Sequence, residues 1–480
     1  MPQPVFPVPP SPEGSFRTLL FKPTTNDFAA IVLQPLGAMY LSSYLKQHGF
    51  PETRILDQKV QQLEEADLRR YLEEWRPDFV GVSALTWEAT AAHAFARLVK
   101  EVLPDTPVVF GGPHASSYAQ TILEDESVDL ICSGEGEAVL LELVQRQQRG
   151  ADLRETRGVA YMREGELVTN EAMPFLQELD ELAHPDYEGI DIPAYNEWYR
   201  VSRTGSGNYM ALFTSRACPY SCNYCHNIFG KSFREHSPEY VVDEIELLIE
   251  RYGIREFEIV DDIFNLNKAR AKRIADLIVE RGLDIQFTLP NGIRGDLMDE
   301  ELLVKLKRAG LVFMCWAIET ASPRLQKKIR KFNKLEKIRE NITFATQQGI
   351  YSNGFFMLGF PTETREELQM TVDFALSSDL HSATIFAVNP FEGTQLAEEA
   401  KQLGLETVHD FDLNYFSEDC INLTEVSHEE LVRIRKNAWR RFYMNPRRLY
   451  RILRDFPNRR NLVSWRGFSS LARRMRLQAG

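Results

Sequence analysis

Ser215-Arg216-Ala217-Cys218-Pro219-Tyr220-Ser221-Cys222-Asn223-Tyr224-Cys225-His226 gathers three of the chain's six cysteines into one short segment. It follows the apolar run 210–215 (MALFTS), which reads as a strand. Three thiolates at Cys-x3-Cys-x2-Cys on one loop can ligate three corners of a four-iron cluster. An electron-transfer cluster takes four protein ligands, so the missing fourth is informative: it leaves one iron open to bind and activate a small molecule. The other reading is zinc held by these cysteines with His226. Structural zinc usually pairs ligands from two separated elements, and no second Cys or His pair follows downstream.

Working outward, apolar runs at 256–261, 285–290, 312–318, 354–360 and 383–388 continue the strand at 210–215 and alternate with amphipathic stretches. Six βα units are too few for a closed eight-stranded barrel and predict a partial barrel, whose functional face is the carboxyl ends of its strands. Upstream, strands at 17–22, 53–56, 78–83, 107–110 and 128–131 alternate with helices such as 88–103, where Ala92, Phe95, Ala96, Val99 and Leu103 share one face. That pattern predicts a doubly wound sheet. The fold class is therefore α/β: a Rossmann-like doubly wound domain (15–150), a partial (β/α)6 barrel (206–402) and a C-terminal helical segment (403–480). A proline-rich N-terminus (1–14) reads as disordered. A linker (151–205) is expected to hold a hairpin with arms GVAYM and ELVTN, and basic helices in the last segment break at Pro446 and Pro457.

The 480 residues, 44% hydrophobic and 26% charged, suffice for two or three cores and exclude fibre and wholesale disorder. No run of about eighteen apolar residues occurs, and the N-terminus lacks a basic segment followed by an apolar one, so the expected localisation is cytoplasmic. Six cysteines in so long a chain argue against a disulfide framework. The net charge of -13 hides an asymmetry: after Glu430, fifteen Lys and Arg face one acid, Asp455, leaving 41 bases and 68 acids before it. Cys132 and Cys315 sit in apolar strand contexts, where buried cysteine is common, and Cys420 lies in an irregular segment.

The cysteine spacing on a loop after the first strand of a partial barrel resembles the radical S-adenosylmethionine superfamily. By that resemblance Cys218, Cys222 and Cys225 hold a [4Fe-4S] cluster and are the catalytic and metal-binding set, while Tyr224 lies beside the adenine. The open iron would chelate the amino and carboxylate groups of S-adenosylmethionine. One electron from the reduced cluster would break the sulfonium bond and release a 5′-deoxyadenosyl radical. Further strand ends match the family's cofactor contacts: Glu258, Asp261 and Asp262 closing the second strand, Arg294 after the third, Glu319 ending the fourth, Gly359 and Pro361 ending the fifth. Each has a bland alternative, such as a helix cap for the aspartates or a satisfied polar group at the rim for Glu319; their recurrence at successive strand ends raises the odds.

The first domain ends successive strands in Ser83 to Thr86, Gly111-Gly112-Pro113-His114 and Gly134-Glu135-Gly136, where glycines let a flat or phosphate-bearing ligand approach the backbone. It resembles the cobalamin-binding domain fused to one branch of the same superfamily. Cobalamin domains of the methionine synthase type carry Asp-x-His-x-x-Gly after the second strand. This chain has Asp57-Gln58-Lys59-Val60-Gln61-Gln62, so the implied cobalamin has no protein histidine as lower ligand. His114 is expected to hydrogen-bond the corrin or the backbone. A degenerate sheet that only presents substrate is the competing reading.

The resemblance implies a cobalamin-dependent methyltransferase acting on an unactivated carbon of a small-molecule or lipid-like substrate, with a reductant such as flavodoxin or ferredoxin. Oxidation, cyclisation or rearrangement with the same cofactors is the alternative; a non-catalytic binder and a thiomethylating tRNA enzyme rank lower. In the tail, Trp439, Phe442 and Tyr443 fall at helical spacing among Arg435, Lys436, Arg440 and Arg441. They read either as a helix docked on the barrel with solvated arginines or as a peripheral contact with anionic membrane lipid. Nucleic acid is the weaker partner.

Overall fold

The computed structural model describes residues 14–24, 32–198, 200–202, 207–226, 228–405 and 421–458. The chain divides into two compact units, Met1–Trp198 and Tyr199–Gly480.

In the first unit, strands β1 (Thr18–Lys22), β2 (Thr53–Asp57), β3 (Phe79–Ser83), β4 (Val108–Gly111) and β5 (Leu130–Cys132) are parallel, and β6 (Val159–Arg163) and β7 (Glu166–Thr169) continue the sheet antiparallel, in the order β2-β1-β3-β4-β5-β6-β7. The parallel strands are near-continuous apolar runs because helices cover both faces; Leu19, Leu20, Phe21, Val108, Val109 and Phe110 are all buried. The Ala89–Val102 helix buries Ala92, Phe95, Ala96 and Val99 on one side, and Phe95 stacks on Phe21 at 3.5 Å between centroids. The strand order reverses between β1 and β3, the crevice where such sheets take ligands. Lys22, closing β1, pairs there with Glu88.

The hairpin expected in the linker is part of this sheet instead: β6 pairs with β5 through Ile131↔Ala160 and Cys132↔Val159. The physical reason is that β5 would otherwise present an open edge. Leu179, Leu182, Tyr187, Ile192 and Tyr195 from the following turns are buried in the same unit. Their apolar side chains stand singly among polar ones, so no period announces them.

The second unit opens with β8 (Tyr209–Leu212) and the short strands β9 (Ser215–Arg216) and β10 (Arg234–Glu235). Then β11 (Glu256–Ile259), β12 (Gln286–Ile293), β13 (Leu311–Glu319), β14 (Tyr351–Leu358) and β15 (Ser382–Ala387) form with β8 a six-stranded parallel sheet, order β15-β14-β13-β12-β11-β8. β8 and β15 are its two edges, so the barrel is open. Six of its helices start from a side-chain N-cap, Ser237, Asn267, Asp299, Ser322, Thr364 and Thr394, each accepting from an amide in the first turn. A polar cap before an apolar-periodic stretch is the sequence signal that lets each strand end release directly into a helix.

The described part of the basic tail forms helices His428–Tyr443 and Pro446–Asp455, the second starting at the proline that ends the first, as the missing amide of a first-turn proline allows. Phe442 is buried, and the Tyr443 hydroxyl donates to the Ala383 carbonyl at 3.1 Å. This is the docking expected of the aromatics. Cys132 and Cys315 are buried; Cys420 and the N-terminal proline-rich stretch through Glu13 lie outside the described residues, as does the chain after Asn458.

Gly310, between the Glu300–Arg308 helix and β13, has φ +107°, and a Cβ there would lie 2.2 Å from the Ile285 carbonyl oxygen. Both the left-handed backbone and the clash oppose any side chain. Gly310→Ala is expected to cost about 2–3 kcal/mol, read as an earlier urea midpoint for the second unit.

Candidate active site

The cysteine loop leaves β8 through Thr214 and is pinched shut at its base. β9 and β10 form a two-rung antiparallel ladder, Arg216↔Arg234 and Ser215↔Glu235, so residues 217–233 bulge out between them. Asp261, buried just past β11, grips the base: Oδ1 accepts from the Thr214 amide at 2.6 Å, and Oδ2 accepts from the Thr214 and Ser215 hydroxyls at 2.5 and 2.6 Å. Arg270, also buried, donates from Nε to the His236 carbonyl at 2.6 Å and from a terminal nitrogen to the Thr214 carbonyl. Asp261 thus ties the strand end, and Arg270 ties both ends of the loop. Burial raises the Asp261 carboxyl, while Arg270 and the Ser215 and Thr214 donors pull it down.

Within the loop, Ala217 is left-handed (φ +72°) immediately before Cys218, which turns the chain outward. The thiols feel one another. Burial raises Cys218 and Cys225; Cys222 raises both further, and Cys218 adds to Cys225. Among the described residues no three His, Cys, Asp or Glu side chains close around a single ion. In a four-iron cluster each thiolate binds its own iron, so its ligands need not converge on one point. A soft, three-thiol donor set on one rigid loop fits such a cluster.

The facing wall comes from β13. Glu319, its last residue, is left-handed (φ +66°) and buried. Its carboxylate accepts from Lys331 Nζ at 3.2 Å, and burial first and then the Glu319 charge hold the Tyr224 hydroxyl above its usual range. Burial opposes the charge of Lys331, but Glu319, Cys222 and Cys225 outweigh it and hold the ammonium above its usual range. The turn carrying Lys331 is strained on both sides, with Arg330 at φ +56° and Phe332 at +52°. It is fastened to the cysteine loop: the Asn223 amide donates to the Ile329 carbonyl at 3.2 Å, and Arg294 donates to the Phe332 carbonyl at 3.2 Å while its guanidinium lies 3.9 Å over the Tyr220 ring. Arg294 also pairs with Asp296 at 3.0 Å.

Tyr224, Arg294 and Glu319 therefore gather around the thiols. Asp262 belongs with them: half-buried, it raises Cys218 and lies 3.9 Å from His226. Glu258 is turned toward the opposite flank, where Oε1 accepts from the Ser202 amide at 2.9 Å and Oε2 is buried with no partner. Gly359 (φ +119°) and Pro361 form the turn after β14. Gly359 and Phe360 amides donate to Glu363 Oε2 at 2.8 and 3.0 Å, and the Pro361 carbonyl accepts from Lys328. Lys331 and Arg270 are residues that sequence reasoning missed. Each sits in an ordinary basic helix or turn pattern, and only their burial beside the loop distinguishes them.

In the first unit the expected residues occupy three neighbouring strand ends. Ser83 closes β3 and Thr86 opens a 3-10 turn. Gly111 closes β4, and Gly112 (φ +86°) is packed so that a Cβ would lie 3.1 Å from the Ala84 carbonyl and 3.2 Å from Ser83 Oγ. Gly134 is left-handed (φ +81°) after β5; Glu135 directly precedes the Gly136–Gln148 helix, and Leu41 stands 3.0 Å from where a Gly136 Cβ would be. His114 is buried, its amide donating to Ala84 and its ring against Tyr118, and burial, with His93 adding, lowers it to about 4. Beyond β2, Asp57 caps the Lys59 amide and accepts from the Tyr195 hydroxyl at 2.7 Å, while Lys59 Nζ lies 5.3 Å over the Trp198 ring. Two tight left-handed glycines and a helix start along adjacent strand ends fit a large phosphate-bearing ligand, held without an imidazole from the β2 loop.

Comparison with known proteins agrees with this division. A family model described as the radical SAM superfamily matches residues 212–375, and one described as the B12 binding domain matches residues 29–144. The chain is 30% identical over 416 residues to an uncharacterised methyltransferase of Pyrococcus horikoshii, covering 86% of this chain and 88% of that protein. It is 29% identical over 425 residues to the cytidylyl-2-hydroxyethylphosphonate methyltransferase of Streptomyces wedmorensis (77% and 78% covered) and 28% identical over 437 residues to the anaerobic magnesium-protoporphyrin IX monomethyl ester cyclase of Rubrivivax gelatinosus (89% and 77%). Among solved structures, the radical S-adenosylmethionine methyltransferase TsrM of Kitasatospora setae shares the fold with a TM-score of 0.69 at 22% identity, covering 82% of this chain and 78% of that one.

Two outcomes test this geometry. A positive charge beside a cluster favours the added electron, so Lys331→Met is expected to lower the midpoint potential by tens of millivolts, of order one tenfold step, in an EPR-monitored titration at unchanged iron content. Glu363 is raised from 4.5 to about 7, first by burial and then by Glu367, with the two amides and Arg324 opposing. The folded state therefore keeps a proton that the unfolded chain releases, a contribution fully present below about 4.5 and lost as pH rises through about 7. Unfolding free energy of the wild type should fall across that window more steeply than that of Glu363→Gln.

Proposed function

The chain belongs to the cobalamin-binding branch of the radical S-adenosylmethionine superfamily, and from that premise we propose that it methylates an unactivated carbon of a small-molecule or lipid-like substrate. It is an enzyme of the family whose cofactors are a four-iron cluster, S-adenosylmethionine and cobalamin, and its relatives include methyltransferases. When bound, these groups supply hydrogen abstraction from an unactivated carbon and a methyl group to replace it.

The observation that carries the site assignment is the clamped loop. Cys218, Cys222 and Cys225 would hold the cluster; Asp261 and Arg270 act as positioning residues, since their hydrogen bonds go to the loop's own base. Arg294 and Lys331 keep the loop against the β13 end and hold positive charge beside three thiolates. Tyr224, packed beside Phe360, would lie beside the adenine of S-adenosylmethionine in this reading. Asp262 and the Gly359–Pro361 turn complete the rim, whereas Glu258, expected from the sequence as a cofactor contact, is held by the Ser202 amide on the other flank. In the first unit Ser83, Thr86, Gly111, Gly112, Gly134, Glu135 and Gly136 would line cobalamin, with Lys59 standing where other cobalamin domains place histidine. His114, a buried neutral ring, would hydrogen-bond the corrin or the backbone at that edge.

The lipid-like substrate, the flavodoxin- or ferredoxin-type reductant and a peripheral membrane contact are parts of this proposal. The magnesium-protoporphyrin ester cyclase among the relatives favours ring closure or oxidation as the second reading. Anaerobic turnover with cobalamin, S-adenosylmethionine and a low-potential reductant separates the two. Methyl transfer adds the mass of one CH2 unit to the product, while 5′-deoxyadenosine release with no such gain would turn the assignment to the second reading. Cys222→Ala is expected to lose cluster iron and all turnover, and retention of either would remove the loop from the site.

A further inference from the structure

The Pro446–Asp455 helix is built inside out. A helix lying on a protein body normally turns leucines inward and arginines outward. Here Arg448 is 1% exposed, whereas Leu449, Tyr450 and Leu453 are 43%, 64% and 60% exposed and Met444, just before the helix, is 65% exposed.

The inward face is fixed by polar contacts. Arg448 donates to the carbonyls of Leu376 at 2.9 Å and Ser378 at 3.1 Å, closing the carboxyl end of the Arg365–Ser377 helix, and its guanidinium lies 3.5 Å over the Phe442 ring. Arg451 pairs with Asp379. Asp455 accepts from His381 Nε2 at 2.9 Å; His381 Nδ1 accepts from the Ser352 amide, so the neutral ring carries its proton on Nε2. Ile452 and Phe456 pack on Phe313, Cys315 and Tyr351. Rolling the helix to hide its leucines would strip Arg448 of these carbonyls and leave a buried charge unpaired. The apolar stripe is held facing outward.

Its surroundings identify the partner. Arg440, Arg441 and Arg447 are exposed beside the stripe, and Leu431 to Asn458 contains nine Lys and Arg against one acid, in a chain whose net charge is -13. Nucleic acid would use the arginines but not the leucines. A surface that is anionic outside and apolar within answers both. We infer that this helix docks on an anionic phospholipid bilayer, with Leu449, Leu453, Tyr450 and Met444 entering the headgroup–acyl boundary and the arginines meeting lipid phosphates. The inference gives the lipid-like substrate reading a place of delivery, yet it does not depend on methyl transfer, because vesicle binding and product formation are separate readouts.

The test is co-sedimentation of the full-length protein with phosphatidylcholine vesicles and with phosphatidylcholine–phosphatidylglycerol vesicles, at low and high salt. Binding is expected to the anionic vesicles only and to weaken with salt. Leu449→Ser/Leu453→Ser should weaken it about tenfold or more at unchanged iron content and thermal midpoint, since both side chains already face water. Three results would overturn the inference: no binding to anionic vesicles, equal binding by the double variant, or loss of binding on deleting 459–480 while the double variant still binds. A dimer in sedimentation velocity that the double variant disperses, without vesicle binding, would assign the stripe to a second copy of the chain.

Discussion

A buried carboxylate and a buried guanidinium hold the neck of the cysteine loop closed, and the rest of the site is arranged around that closure. Asp261 and Arg270 both lie in a sheet-and-helix interior where an unpaired charge would be costly. They remain there because they attract each other and their hydrogen bonds reach the loop's own backbone and hydroxyls: the Thr214 amide and carbonyl, the Ser215 hydroxyl and the His236 carbonyl. A loop tied in this way keeps three thiols in mutual range although only the two-rung ladder at its base is regular secondary structure.

The same economy of means recurs at the other strand ends. Glu319 and Ala217 adopt left-handed backbone without being glycine, and the Lys331 turn does so on both flanks. Such conformations persist where surrounding contacts over-determine them. Here the contacts are Arg294 on Phe332 and Tyr220, Asn223 on Ile329, and the Asn333 side chain on the Ala317 carbonyl. Parallel strands bury their middles and leave their carboxyl ends free to be irregular, which is where strain can be stored without weakening the sheet. Arg448 applies the device to the tail, capping one helix with a charge from another and forcing leucines into water as a result.

Much of this was legible in the chain before folding. The three cysteines are near neighbours in sequence, so their chemistry is written locally. The parallel strands declare themselves as unbroken apolar runs. The hairpin after β5 was legible as a hairpin, but its attachment to the sheet was not, because an open strand edge exists only once the sheet has formed. Asp261 was legible as a polar residue at a strand end; that it faces Thr214 and Ser215 rather than the space above the thiols depends on contacts 46 and 47 residues away.

The sequence by itself determined the chemistry and the element order: local spacing places thiols on one loop, and local periodicity decides strand or helix. Tertiary structure alone decided which charges are buried and what they hold. Lys331 and Arg270 resemble any exposed base until the fold sets them against the cysteine loop, and Leu449 and Leu453 resemble core leucines until Arg448 takes the inward position. Burial and pairing are properties of residues far apart in the chain, and no local pattern encodes them.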